Sequence, residues 1–244
     1  MSLIPDMTAY WKRPKFKTAR EPQSASTLID IFKLLVFSLG GVFAIMIAVG
    51  LVFQIMGLER PDVSDDFAKA LEKRHFIIFA VILAPFVEEM IFRSWLGMKW
   101  GVLLILPILL WCVGVIVFLQ EKALPYTLDV TCLIGLTILV GTYCVQYCRT
   151  ATIEGYHEAV LERIFPFIFW VTLFGFGLIH LSNFESNDLG VLSVLIVLPQ
   201  IFIGGVLGYL RMRFGLITAI LFHAAYNGVL VGLSLLVMPT VTGG

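Results

Sequence analysis

Long apolar runs dominate the chain, and polar positions are gathered between them. A helix needs about 20 apolar residues to cross the hydrocarbon layer of a bilayer. By that measure the sequence predicts seven spans, at 28–57, 75–97, 101–119, 125–147, 164–182, 189–210 and 214–238. The first run is long enough to tilt or to project from the membrane. The pattern therefore predicts an all-α, polytopic membrane bundle of about seven to eight transmembrane helices.

The polar segments divide the chain into a leader, one membrane domain and a tail. Residues 1–27 are basic and contain several prolines, which is too long and too polar for an ordinary signal peptide, so we expect the first span to be retained. Residues 28–238 are predicted to form a single transmembrane domain, followed by a tail at 239–244. Segments 58–74 and 149–163 carry mixed charges and are predicted to be short surface helices.

Composition supports a membrane protein and excludes several other classes. Of the 244 residues 59% are apolar and 14% are charged, and the mean hydropathy is +0.94. A soluble domain of this length could not cover so much hydrocarbon, which excludes a water-soluble enzyme, a coiled coil and a disordered chain. The 17 basic and 17 acidic residues cancel, so no overall field attracts nucleic acid.

The distribution of lysine and arginine predicts the orientation in the membrane. With a cytoplasmic N-terminus, ten basic residues fall on the cytoplasmic side, namely Lys12, Arg13, Lys15, Lys17, Arg20, Lys99, Arg149, Arg163, Arg211 and Arg213. Five fall on the other side, namely Arg60, Lys69, Lys73, Arg74 and Lys122. Because positive charge accumulates in cytoplasmic segments, the count predicts a cytoplasmic N-terminus and a C-terminus outside.

Small residues four apart predict close helix contacts at two places. Gly97 with Gly101, and Gly204 with Gly208, have the spacing that lets helix backbones approach each other in lipid. We interpret both pairs as packing features with no chemical role.

Three predicted spans contain ionisable or amide side chains, each of which costs about 2.5–3.5 kcal/mol or more within the bilayer. They are Glu88, Glu89 and Arg93 in the second span, His180 in the fifth, and His223 and Asn227 in the seventh. Charged groups at that depth are typical of functional sites.

Helical spacing predicts different roles for Glu88 and Glu89. Glu89 and Arg93 are four residues apart and can pair along one helix face, whereas Glu88 lies about 100° away. We therefore expect Glu89 and Arg93 to form an internal ion pair and Glu88 to face another partner. The alternative is that both acids only neutralise Arg93.

The histidines fit a water-activating site. His223 and Asn227 are four residues apart, as are Phe176 and His180. A lone histidine in a span is more commonly an interhelical hydrogen-bonding group. Beside an unpaired glutamate, however, one histidine can help to polarise a water, and a histidine with an asparagine can donate to an oxyanion. Neither a Gly-x-Ser-x-Gly nor a His-Glu-x-x-His pattern is present.

Three motifs in this order resemble those of the CAAX-protease and bacteriocin-processing family, also called CPBP or Abi. They are Glu88-Glu89-x-x-x-Arg93, Phe176-x-x-x-His180 and His223-x-x-x-Asn227, and the glycine-rich run 204–215 adds to the resemblance. The likeness covers about 84–97 and 170–230.

The resemblance implies a glutamic-type intramembrane endopeptidase related to prenyl-protein proteases. Carried over to this sequence, Glu88 would activate water with the help of His180. His223 and Asn227 would stabilise the oxyanion, and Glu89 and Arg93 would support the site. The implied partners are a membrane-anchored, prenylated or peptide substrate and the lipid bilayer, without nucleic acid.

The expected reaction needs no cofactor, although a zinc-dependent version is an alternative. Glutamate with two histidines could supply three zinc ligands, but Asn227 is a poor zinc ligand and a good oxyanion donor, which favours metal-free hydrolysis. The sequence identifies neither the substrate nor the oligomeric state.

Two features depart from the family pattern. Residues 101–147 are predicted to form an extra helical hairpin. Measured at 1.5 Å per residue from the predicted span ends, Glu88 lies roughly 16 Å from Lys99 but His180 roughly 25 Å from Arg163. On this topology His180 is therefore expected about 10 Å too far across the membrane to meet Glu88.

Two other functions are compatible with the same residues. A non-proteolytic binding or immunity protein could use them to hold a partner's transmembrane segment. A proton-coupled transporter also uses buried glutamate and histidine, although no inverted repeat is evident in the sequence. The short form and the absence of eukaryotic targeting signals favour a bacterial plasma membrane.

Overall fold

The structure, a computed structural model, describes residues 3–16, 24–59, 74–94, 96, 126–150, 156–184 and 190–237. The helices of this part are α1 (Leu3–Lys12), α2 (Ala25–Met56), α3 (74–92), α4 (Tyr126–Thr150), α5 (Tyr156–Ile179), α6 (Leu198–Phe214) and α7 (Leu216–Val237). Within α3, a π-helical turn at Phe79–Leu83 separates the α-helical stretches Arg74–Ile78 and Ala84–Phe92. A 3₁₀ turn at His180–Asn183 continues α5.

Four helices are long and apolar enough to cross a membrane. In the described part of the chain they are Ser26–Met56, His75–Phe92, Tyr156–Asn183 and Leu216–Leu236. Their outer faces expose large apolar side chains such as Ile55, Phe167 and Leu236, which is the surface that lipid requires. The all-α membrane bundle is confirmed. The count of seven to eight spans stays a prediction, since 101–119 lies outside the described residues.

Helix α6 lies at the centre of the bundle. It packs against α1, α2, α5 and α7, and nearly all of its side chains are buried. Its three glycines let neighbouring rings approach its backbone: a Cβ at Gly204 would lie 2.9 Å from the Phe176 ring, and one at Gly208 would lie 2.7 Å from the Phe169 ring. The packing interpretation of the Gly204 and Gly208 pair is therefore confirmed.

Replacing Gly208 by alanine is expected to destabilise the protein by about 1–3 kcal/mol, because the new methyl group would overlap the Phe169 ring. Equilibrium unfolding in detergent measures this change. Gly50→Ala is the matched control, since a Cβ there meets nothing within 4 Å and should stabilise α2 by up to about 1 kcal/mol. Equal stability of Gly208→Ala and the wild type would contradict this account of α6.

Helix α1 docks on α6 through specific polar contacts. The indole of Trp11 donates to the Gly205 carbonyl at 3.0 Å, and the hydroxyl of Tyr209 donates to Asp6 at 2.6 Å. Arg213 also lies 3.6 Å from the Asp6 carboxylate. Between these contacts, Met7 is fully buried. Part of the basic leader is thus packed into the bundle.

The predicted boundary of the fifth span is wrong. Residues 156–163, which we assigned to a separate surface helix, belong to α5, and Leu161 is fully buried there. Glu162 and Arg163 are exposed on this continuous helix, so their charges mark no boundary. Pro166 lies inside α5, where bundle packing tolerates the missing amide.

The predicted sixth span is broken. It begins with a 3₁₀ turn at Gly190–Leu192 and a short helix at Ser193–Ile196, and α6 starts only after Val197. Pro199 lies in the first turn of α6, where its missing amide costs little. The apolar run alone did not reveal this break.

The second predicted span also ends earlier than expected, at Phe92 instead of residue 97. Arg93 leaves the helix with φ −132°, and the guanidinium of Arg211 caps this end by donating to the carbonyls of Arg93 and Ser94 at 2.8 and 2.9 Å. Arg211 is buried, and Arg213 faces Asp6. Neither is a simple loop charge, which weakens the count behind the predicted orientation.

Candidate active site

A cavity of about 490 Å³ opens between α3, α5, α6 and α7. The four residues expected to act on substrate all line it, namely Glu88, His180, His223 and Asn227. Its other walls include the apolar side chains Phe76, Phe79, Leu230 and Val231. Residues from three distant spans therefore share one polar space with an apolar border.

Glu88 lies between the two histidines. Its Oε2 atom is 3.9 Å from Nε2 of His180 and 3.7 Å from Nε2 of His223. Among the described residues this Oε2 has no hydrogen-bond partner, although the side chain as a whole is 25% exposed. The carboxylate thus faces the two imidazoles and the cavity, outside the ion pair formed by its neighbour.

His180 directs its Nε2 atom at Glu88. Its Nδ1 lies 2.8 Å from the Phe176 carbonyl, and because a carbonyl only accepts, Nδ1 carries a proton and donates it. In the neutral ring Nε2 is therefore the basic nitrogen. The expected 10 Å mismatch in depth is wrong, because α5 continues past Arg163 and that residue does not mark the end of the span.

His223 is held from behind by Glu89. Nδ1 of His223 lies 3.0 Å from Oε1 of Glu89, and the same oxygen accepts a hydrogen bond from Nη1 of Arg93 at 2.6 Å. The expected pair between Glu89 and Arg93 is present, with side chains 0% and 1% exposed. The contact between Glu89 and His223 was not foreseen, because it depends on how two separate helices face each other.

Phe176 joins these groups from α5. The guanidinium carbon of Arg93 lies 4.0 Å from the centre of the Phe176 ring, a cation–π contact, while Nη2 donates to the Gly204 carbonyl at 3.4 Å. The ring centres of His180 and His223 are 4.9 and 5.9 Å from that of Phe176. Sequence reasoning gave Phe176 no role, although it is the first residue of its motif.

Asn227 reaches across the cavity to α3. Its Nδ2 donates to the Ala80 carbonyl at 2.9 Å. Four further polar residues that the sequence analysis did not single out also line the cavity, namely Asn183, Gln200, Tyr226 and Ser234. Gln200 could have been identified from the sequence, because it is a polar residue within the predicted sixth span.

A zinc ion at this site would require Glu88, His180 and His223 as its ligands. Within the described residues, no group of three or more His, Cys, Asp or Glu side chains is arranged to hold a metal ion. The expectation of a cofactor-free reaction stays a prediction.

Comparison with known proteins identifies the family. No curated protein and no solved structure matches the chain. The sequence model of the family described as "Type II CAAX prenyl endopeptidase Rce1-like" matches residues 71–229, more than half of the chain and all three motifs. This confirms the resemblance drawn from the sequence and agrees with an integral membrane protein. The chain belongs to the Rce1-like family of type II CAAX prenyl endopeptidases.

Proposed function

We propose that this protein is a glutamic-type intramembrane endopeptidase that uses Glu88, His180, His223 and Asn227 to hydrolyse a peptide bond of a membrane-anchored or prenylated substrate. The observation that carries the proposal is the position of the Glu88 carboxylate, 3.7–3.9 Å from Nε2 of both histidines in a cavity large enough for a peptide segment. The apolar border of that cavity suits a substrate delivered from lipid.

Glu88 acts as the general base in the first step. It takes a proton from a water molecule while the oxygen of that water attacks the peptide carbonyl carbon. His180 assists, because its basic Nε2 faces the same carboxylate and can accept a hydrogen bond from the newly protonated acid.

The oxyanion then forms opposite His223 and Asn227. His223 donates from Nε2, and Glu89 holds its ring in place through Nδ1. Asn227 donates from Nδ2. When the tetrahedral intermediate breaks down, the C–N bond cleaves and the proton held at Glu88 moves to the leaving amine. Glu89 and Arg93 keep their positions throughout.

Hydrolysis in isotopically labelled water tests this proposal. The protein is reconstituted in liposomes with a prenylated peptide in H₂¹⁸O, and mass spectrometry follows the fragments. We expect two products, with one ¹⁸O atom in the new carboxylate. Stable binding of the peptide without fragments would instead support the non-proteolytic binding protein and overturn the proposal.

Removal of divalent metals is expected to leave the cleavage rate unchanged, because Glu88 and not a metal-bound hydroxide is the proposed base. The measurement compares kcat/KM before and after dialysis against a chelator, with a known zinc protease as the positive control for metal removal. Loss of activity that added zinc restores would contradict the metal-free mechanism.

The proposal also covers the orientation of the chain, the membrane that holds it and the extent of the protease domain. The N-terminus is cytoplasmic, and the membrane is a bacterial plasma membrane. Residues 28–238 act as one protease domain. Accessibility labelling in intact cells tests the orientation, with a cysteine introduced at Ser2 after the four native cysteines are replaced by alanine. Labelling from outside would reverse the assignment.

A further inference from the structure

The π-helical turn at Phe79–Leu83 changes the hydrogen-bonding register just before the Glu88 motif. At its end the amide of Ala84 donates to the carbonyl of Phe79, five residues back, where an α-helix would use a carbonyl four residues back. Such single turns occur frequently at functional sites, and this one lies directly on the wall of the cavity, which Phe79 and Ala80 line.

Pro85 follows this turn and leaves one carbonyl without a donor from its own helix. In the five-residue register the next amide, that of residue 85, would meet the carbonyl of Ala80. Proline has no amide proton, so it brings no donor to this oxygen. Ala80 lines the cavity, so its carbonyl is open to a donor from outside α3.

Asn227 supplies that partner. Its Nδ2 donates to the Ala80 carbonyl at 2.9 Å, over 147 residues of sequence, and both residues line the same cavity as Glu88. One N–H of the carboxamide is thereby used, which fixes the plane of the amide. The second N–H of the same nitrogen stays free to donate to a substrate.

We propose that Pro85 is a positioning residue, which keeps the Ala80 carbonyl open so that Asn227 is held in the orientation that binds the oxyanion. This inference rests on the proposed function. It differs from a purely structural role, in which Pro85 only occupies the first turn of Ala84–Phe92 and its missing amide has no consequence.

The experiment separates the amide proton of residue 85 from the ring of proline. Pro85→Ala adds an N–H that competes with Asn227 for the Ala80 carbonyl, and we expect kcat to fall about 10–100-fold, with KM changed less than about threefold. Pro85→lactate, introduced by nonsense suppression, lacks both ring and N–H and should keep wild-type kcat. The matched control is Pro166→Ala, a proline inside α5 that lines a different cavity, and it should keep wild-type kcat.

A double variant completes the test. Pro85→Ala should lower kcat in the wild type but have no further effect in Asn227→Ala, because the two changes remove the same interaction. Equal losses in Pro85→Ala and Pro85→lactate, or additive losses in the double variant, would overturn the positioning role. If Pro85→Ala does not fold, Pro85→lactate becomes the decisive variant. A reduced kcat in Pro85→lactate also overturns the positioning role. These outcomes are separate from failure of the proposed function, in which the wild type itself yields no product.

Discussion

Replacing Glu88 by glutamine is expected to abolish peptide-bond hydrolysis, with kcat lowered by about 10³-fold or more, within the range of general acid–base catalysis. The carboxamide has nearly the same shape as the carboxylate but cannot take a proton from water. Folding should be unaffected, because Glu88 lies 3.7 and 3.9 Å from the two imidazoles, beyond hydrogen-bond distance, and the structural ion pair belongs to Glu89.

The measurement is the single-turnover rate with a prenylated peptide in liposomes, accompanied by the dissociation constant of that peptide. Glu162→Gln serves as the matched control, since Glu162 lies on α5 and lines another cavity. It should cleave at the wild-type rate. If Glu88→Gln retained turnover within tenfold of the wild type, Glu88 would be removed from the mechanism.

Arg93→Met should produce the largest loss of stability, about 3–5 kcal/mol, because it leaves the fully buried Glu89 carboxylate without its cation. The substitution also removes the cation–π contact with Phe176 and the hydrogen bond to the Gly204 carbonyl. Glu89 would then either remain charged at high cost or take up a proton and lose its hold on His223.

Equilibrium unfolding in detergent measures this loss. The double variant Glu89→Gln with Arg93→Met should recover part of it, because no buried charge is then left unpaired. Lys33→Met is the matched control: it breaks the surface pair with Asp30, whose lysine is 66% exposed, and should cost less than about 1 kcal/mol. A loss in Arg93→Met no greater than in this control would show that the buried pair contributes nothing.

Contacts along one helix were predictable from the sequence. The spacing of four placed Glu89 beside Arg93, and it placed His223 and Asn227 on the same cavity, because helical geometry determines such neighbours. The all-α membrane architecture followed in the same way from the length of the apolar runs. No knowledge of how the helices assemble was needed for either.

Contacts between helices were not predictable. The bond from His223 to Glu89 and the one from Asn227 to Ala80 depend on how α7 is rotated against α3. Hydropathy also missed the break at Val197, since the run stays apolar through it. The depth of His180 was wrong because Arg163 was taken as the end of a span, whereas a charged residue on an exposed helix face marks no boundary.

The docking of α1 on α6 has a consequence for biosynthesis. Asp6 and Trp11 bind residues that follow them by 203 and 194 positions, so α1 leaves the ribosome long before its binding surface is made. At about 5–20 residues per second, this delay is about 10–40 s. Throughout that time Asp6 and Trp11 lack these partners. A nascent chain arrested before Gly205 therefore carries an α1 that is not yet docked on α6, and this surface of α1 is open to chaperones or to the bilayer surface.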